Sequence, residues 1–118
     1  MDLDYIREYC LSFPGVKEEM PWEDHPAYKV GGKIFLISNL SKENSNRLSI
    51  KCTPEKFNEL VETENIIPAP YLARNKWITI QDGCRIRLKE LKELIKESYR
   101  LVFSRLPAKT RKEIEQVN

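Results

Sequence analysis

Apolar and polar positions are most informative over Ala27–Ile37, AYKVGGKIFLI, and this stretch predicts a β-hairpin. The paired glycines Gly31-Gly32 tolerate the positive φ values of a tight two-residue turn. Tyr28 and Val30 share one face of the first strand, and Lys29 takes the other. Ile34, Phe35, Leu36 and Ile37 are apolar on both faces, which predicts a central strand covered on more than one side. A lone hairpin is not stable in water, so other segments must supply strands and helices to cover it.

Two further segments carry a strand pattern. In Arg47–Cys52, Leu48, Ile50 and Cys52 alternate with Arg47, Ser49 and Lys51. In Trp77–Ile80, Trp77 and Thr79 face opposite Ile78 and Ile80. Helical spacing appears elsewhere. Leu3, Ile6, Cys10 and Phe13 predict a helix over Asp2–Phe13, capped by Asp2 and stopped by Pro14-Gly15. Thr53-Pro54 starts a short helix with Phe57, Leu60 and Val61 on its apolar stripe. Leu88, Leu91, Ile95, Tyr99, Val102 and Leu106 predict one long helix over Leu88–Leu106, ended by Pro107. Ala108–Val117 predicts a last short helix with Ile114 and Val117 as anchors.

Between these elements Val16–Pro26 reads as a connector with an acidic rim, and Asn39–Asn46 as a polar loop. Ile66–Lys76 reads as irregular because Pro68 and Pro70 break regular structure, with Tyr71 and Leu72 folded against the sheet. Gln81-Asp82-Gly83 is a turn, and Cys84–Ile86 fits that turn, a short edge strand or the approach to the long helix. The elements together predict an α+β fold: an antiparallel sheet covered by N- and C-terminal helices, in a single domain over residues 1–118. Repeated βα units, which a doubly wound parallel fold needs, are missing.

Composition changes this picture little. The chain has 118 residues, 41% of them hydrophobic and 32% charged, as in an ordinary soluble domain. A net charge of +2 does not demand a nucleic-acid partner. Charge placement says more: residues 1–24 hold seven acids against two bases, and residues 85–118 hold ten bases against five acids. The three cysteines, Cys10, Cys52 and Cys84, form no CxxC pair and predict core thiols in a reducing compartment rather than zinc ligands or disulfides. No apolar run approaches membrane-spanning length, and the acidic start MDLDYIREY does not match a signal peptide. A cytoplasmic location follows as the expectation.

Candidate chemistry is sparse. His25, the one histidine, has no second histidine with which to share a metal, and no nucleophile motif lies beside it. Gly31-Gly32-Lys33 sits between strands, so it is a turn and not a phosphate loop. Candidate cations for a nucleic-acid backbone are Lys29 and Lys33 at the hairpin tip, Arg74 and Lys76 at a second tip, and Lys89, Lys92, Lys96 and Arg100 along the long helix. Candidate pocket residues are Trp22, His25, Tyr71 and Trp77.

The chain also resembles the MmcQ/YjbR family over nearly its whole length. The resemblance is carried by YCLSFPGVKEEMPW (Tyr9–Trp22), YKVGGKIF (Tyr28–Phe35), LSIKCTPE (Leu48–Glu55), IIPAPYLARNKWITI (Ile66–Ile80) and LKELIKESYRLVFSRLP (Leu91–Pro107). It implies a small bacterial cytoplasmic protein with a CyaY-like (frataxin-like) fold. It also implies possible DNA binding through a double-wing arrangement, as suggested for some members, which gives the Gly31-Gly32 tip a wing role. The expectation is a binding or adaptor protein for a protein or small ligand, with no enzymatic activity, cofactor, metal or membrane. Its alternative is a DNA-binding protein using the hairpin wing and the basic helix face. A monomer or weak homodimer is expected.

Overall fold

The structure, a computed structural model, describes residues 2–22, 25–40, 46–70 and 72–117, with Pro21, Trp22, Asn39, Leu40 and Val117 described by backbone alone. In chain order the elements are α1 (Leu3–Leu11), β1 (Val16–Trp22), β2 (His25–Val30), β3 (Lys33–Leu40) and β4 (Asn46–Lys51). Then come α2 (Pro54–Leu60), β5 (Ile66–Pro68), a 3-10 turn over Ala73–Asn75, β6 (Trp77–Ile80), α3 (Leu88–Ser104) and α4 (Ala108–Val117). The strands form one six-stranded sheet in the order β1-β2-β3-β4-β6-β5, with every pair antiparallel. The α+β class is as the sequence predicts.

Local chemistry explains the helix ends. The Asp2 carboxylate accepts from the Asp4 and Tyr5 amides and caps α1. Thr53 Oγ1 accepts from the Lys56 amide, and Pro54 occupies the first helical position of α2, where its missing N–H costs nothing. The hairpin turn has Gly31 at φ +58° and Gly32 at φ +80°. A Cβ on Gly31 would stand 2.6 Å from Leu106 Cδ1, so this glycine also lets the end of the α3 segment close on the hairpin.

Two predicted connectors are strands. Val16–Pro26, read as a connector, contains edge strand β1, paired from Val16↔Val30 to Trp22↔His25 with a register shift after Glu19. Its run of charges hid it, because an edge strand needs no second dry face. Part of the irregular Ile66–Lys76 stretch is β5, which tolerates Pro68 because it is the opposite edge. Of the predicted polar loop, Asn39, Leu40 and Asn46 belong to strands, and residues 41–45 lie outside the described residues. Cys84–Ile86 is outside the sheet, on the approach to α3.

One sheet face carries the core. The rows Tyr28–Leu36–Ile50–Ile78 and Ser38–Leu48–Ile80–Ile66 run across it, and every member is buried. Against them α3 sets Leu91, Leu94, Ile95, Ser98, Tyr99 and Val102. Leu88, predicted on that core stripe, is 53% exposed, because it begins the helix beyond the sheet's cover. From α1, Ile6 and Cys10 join the same core. The opposite face carries Ala27–Ile37–Ser49–Thr79–Ile67, where Ser49 Oγ and Thr79 Oγ1 are 2.8 Å apart. β3 is interior, as predicted, yet Ile34 and Ile37 stay half-buried on that second face.

A bulge in β3 shapes the end of the sheet near the hairpin. Tyr28 pairs with Leu36 and Lys29 with Ile34, which leaves Phe35 as the extra residue. Phe35 turns into the helix layer, edge-on to Tyr99 at 5.5 Å. Pairing of β3 with β4 stops at Leu36↔Ile50. The Ser98 hydroxyl fills the break: it donates to the Phe35 carbonyl at 2.7 Å and accepts from the Lys51 amide at 3.0 Å.

Candidate functional site

At this broken end of the sheet lies a groove of about 700 Å³. Three segments build it. The hairpin supplies Lys33 and Ile34, the adjoining ends of β4 and β6 supply Lys51 and Trp77, and the end of α3 supplies Val102 and Arg105. Leu106, Pro107 and Thr110 close it where α4 begins. Lys51 and Trp77 are cross-strand partners, so the register places a cation beside an indole. Lys33, Lys51 and Arg105 give the lining three positive charges, and no lining residue is acidic.

These charges are not neutralised within the described residues. The ion pairs there are Arg7–Glu18 at 2.9 Å, Lys29–Glu19 at 2.6 Å, Lys56–Glu59 at 3.6 Å and Arg100–Glu97 at 3.9 Å, none in the groove. Lys51 Nζ donates to the Asn75 carbonyl at 2.9 Å, which steers the ammonium but leaves its charge uncompensated. Its pKa is held below the usual lysine range, first by burial and then by the nearby Arg105. Two cations held near each other without a counter-charge are a destabilising arrangement that an anion relieves.

The predicted cations do not form one surface. Lys29 is tied to Glu19. Lys76, in a left-handed conformation at φ +64°, lies with Nζ 5.2 Å from the Phe57 ring centroid. Arg74 is exposed on the 3-10 turn. Lys92 sits over Tyr9 at 4.9 Å and Tyr5 at 5.8 Å, while Lys89 and Lys96 lie with it along the side of α3 that adjoins α1. Arg100 is beside Glu97. Of the eight, Lys33 alone lines the groove. Lys51 and Arg105 were not singled out by sequence reasoning.

The predicted aromatic pocket is partly outside view. Tyr71 and the Trp22 side chain lie outside the described residues. Trp77 is 8% exposed and lines the groove. His25 is half-buried at the start of β2 and does not line it. The thiols are guarded: burial pushes Cys10 up to about 12 and Cys52 up to about 11. Cys84 is partly exposed. Among the described residues no helix is long and apolar enough to cross a membrane.

An antiparallel sheet with helices packed on its core face defines a small α+β domain, and comparison with known proteins assigns it. The chain belongs to the YjbR family, whose model matches residues 11–101. A relative from Escherichia coli O157:H7, described as uncharacterized protein YbdF, is 28% identical over 113 residues, covering 92% of this chain and 89% of the relative. Among solved structures, Deinococcus radiodurans protein DR2400, described as a DUF419 domain, superposes with a TM-score of 0.85 at 26% identity. That match covers 96% of this chain and 87% of the other. A crystal structure from Pseudomonas syringae shares the fold, with a TM-score of 0.72 at 21% identity over 86% of this chain and 99% of the other.

Proposed function

We propose that the protein is a cytoplasmic, non-enzymatic binding protein and that its site is the groove between the hairpin, β4 and the end of α3, which takes an anionic ligand. The observation that carries this reading is the convergence of Lys33, Lys51 and Arg105 on one groove with no acid in its lining. Raised pKa values keep the Cys10 and Cys52 thiols, neither of which lines the groove, from acting as thiolates near neutral pH. The same buried, unpaired thiols suit a reducing compartment. The site lies within one chain, so the reading requires no partner subunit.

Amide chemical shifts followed during titration with inorganic phosphate test this. Shifts clustered at Lys33, Lys51 and Arg105, and lost in the Lys51→Met/Arg105→Met variant, are expected. No shifts, or shifts centred elsewhere, refute the assignment.

DNA is the second reading, because hairpin-tip Lys33 and Arg105 face the same groove and would meet a phosphodiester backbone. Three phosphate contacts limit the slope of log affinity against log salt to about −3. A steeper slope in a duplex-binding isotherm would show that the groove cations are not the whole DNA interface.

A further inference from the structure

From the chemistry of the groove lining we infer that the ligand is a small phosphate monoester with a flat or hydrocarbon body. The inference rests on the anion-binding reading of the same groove and deepens it. Charge sets the head group. A carboxylate brings one negative charge and leaves two of the three cations uncompensated. A phosphate monoester carries about 1.5–2 charges at neutral pH and three acceptor oxygens, which match several donors at once. Lys51 contributes the N–H bonds not used by the Asn75 carbonyl, and Arg105 contributes a guanidinium suited to phosphate oxygens.

The remaining lining sets the body. Ile34, Trp77, Val102 and Leu106 form the apolar part of the wall. Bare phosphate would leave this surface in water, whereas an ester group covers it and gains the hydrophobic contribution. Thr110 and Asn75 supply a few polar groups beside it, the mixture common to small-ligand sites. The groove volume of about 700 Å³ falls in the range of about 300–1,000 Å³ typical of such sites.

A polymer fits less well. A backbone tracking along the protein needs cations in succession, but Lys89, Lys92 and Lys96 belong to the first half of α3 while the groove is at its last turn. An α-helix rises about 1.5 Å per residue, so Lys89 and Arg105 are separated by roughly 24 Å along it. Between them on α3, Arg100 is beside Glu97, and Lys29 on the hairpin is already paired with Glu19.

The test is a set of amide-shift titrations with phenyl phosphate, inorganic phosphate, phenol and a 20-base-pair duplex. Phenyl phosphate is expected to bind at least about tenfold tighter than inorganic phosphate and to move the Trp77 indole resonance. Ile34→Thr should lower that advantage, read as the ratio of the two phosphate affinities measured in the same variant. Lys51→Met should weaken both phosphates together. Equal affinity for the two phosphates overturns the inference and leaves the anion site standing. Phenol binding as tightly as phenyl phosphate, or no phosphate binding at all, overturns both. Tighter binding of the duplex, with shifts reaching Lys89–Lys96, overturns the small-ligand assignment. Retention of a dispersed amide spectrum in each variant separates lost binding from lost folding.

Discussion

Removing one hydroxyl from the middle of α3 should measure how the sheet is finished beside the groove. Ser98 is 0% exposed, and its Oγ serves two backbone groups at once: the Phe35 carbonyl on β3 and the Lys51 amide on β4. Ser98→Ala removes both partners without a large change in volume. Each backbone group left unpaired and shielded from water costs about 1–3 kcal/mol, so the pair gives about 2–6 kcal/mol at most. Some relief is available if the two strands close the gap and bond directly, which sets the lower end. Such closure would have to undo the Phe35 bulge and move its ring from the edge-on contact with Tyr99. Urea unfolding followed by far-ultraviolet circular dichroism provides the assay, with stability read from the midpoint and slope. Ser104→Ala is the matched control. Its hydroxyl donates to the Leu101 carbonyl within the same helix and is exposed, so a change within about 0.5 kcal/mol is expected. A Ser98→Ala loss below about 1 kcal/mol would refute the claim that this hydroxyl completes the ladder. Because Lys51 belongs to both features, the variant should also weaken phosphate binding, detected in the same titration as above.

Three further outcomes follow from the same geometry. Gly31→Ala should destabilise by about 2–4 kcal/mol, through a left-handed penalty of about 1–2 kcal/mol together with crowding against Leu106, whereas Gly32→Ala should cost only the former because its Cβ meets nothing; urea midpoints compare them. Cys84 should react first with a thiol reagent, and stability should fall as pH rises above about 9: unfolded thiols ionise near there, while folded Cys10 and Cys52 hold their protons to about 12 and about 11, so their joint contribution falls by about 2–3 kcal/mol by pH 10, a loss that should be smaller in Cys10→Ala/Cys52→Ala. Phosphate affinity should decline at a pH below the usual lysine value of 10.5, because Lys51 loses its proton early in the free protein, and Lys51→Arg should flatten that part of the profile; an unchanged profile would remove Lys51 from the site.

Sequence periodicity revealed the parts of the fold that bury a regular face. Arg47–Cys52 alternates because one side meets α3 and the other does not, and Gly31-Gly32 declares its turn through backbone freedom alone. β1 escaped because Lys17, Glu18 and Glu19 obscure alternation on an edge, and β5 because Pro68 is tolerated only at an edge. The groove escaped for another reason. Lys33, Lys51, Trp77 and Arg105 are far apart in sequence, and each has an ordinary local role as a strand or helix-end residue. Their convergence depends on strand order and on where α3 stops. Ser98 left a signal that could have been used: it lies on the apolar stripe between Leu94, Ile95 and Val102, and a hydroxyl placed there must find a partner.

The two edges also bear on how the sheet resists extension. β1 offers an outer row interrupted by a register shift and presents Lys17, Glu18 and Glu19, while β5 is only three residues long and ends in a proline. Charges, irregularity and short length all oppose the addition of a foreign strand. Open-ended growth through sheet extension is therefore disfavoured at both sides, and the hairpin end can keep an exposed groove without turning the sheet into a template for fibres.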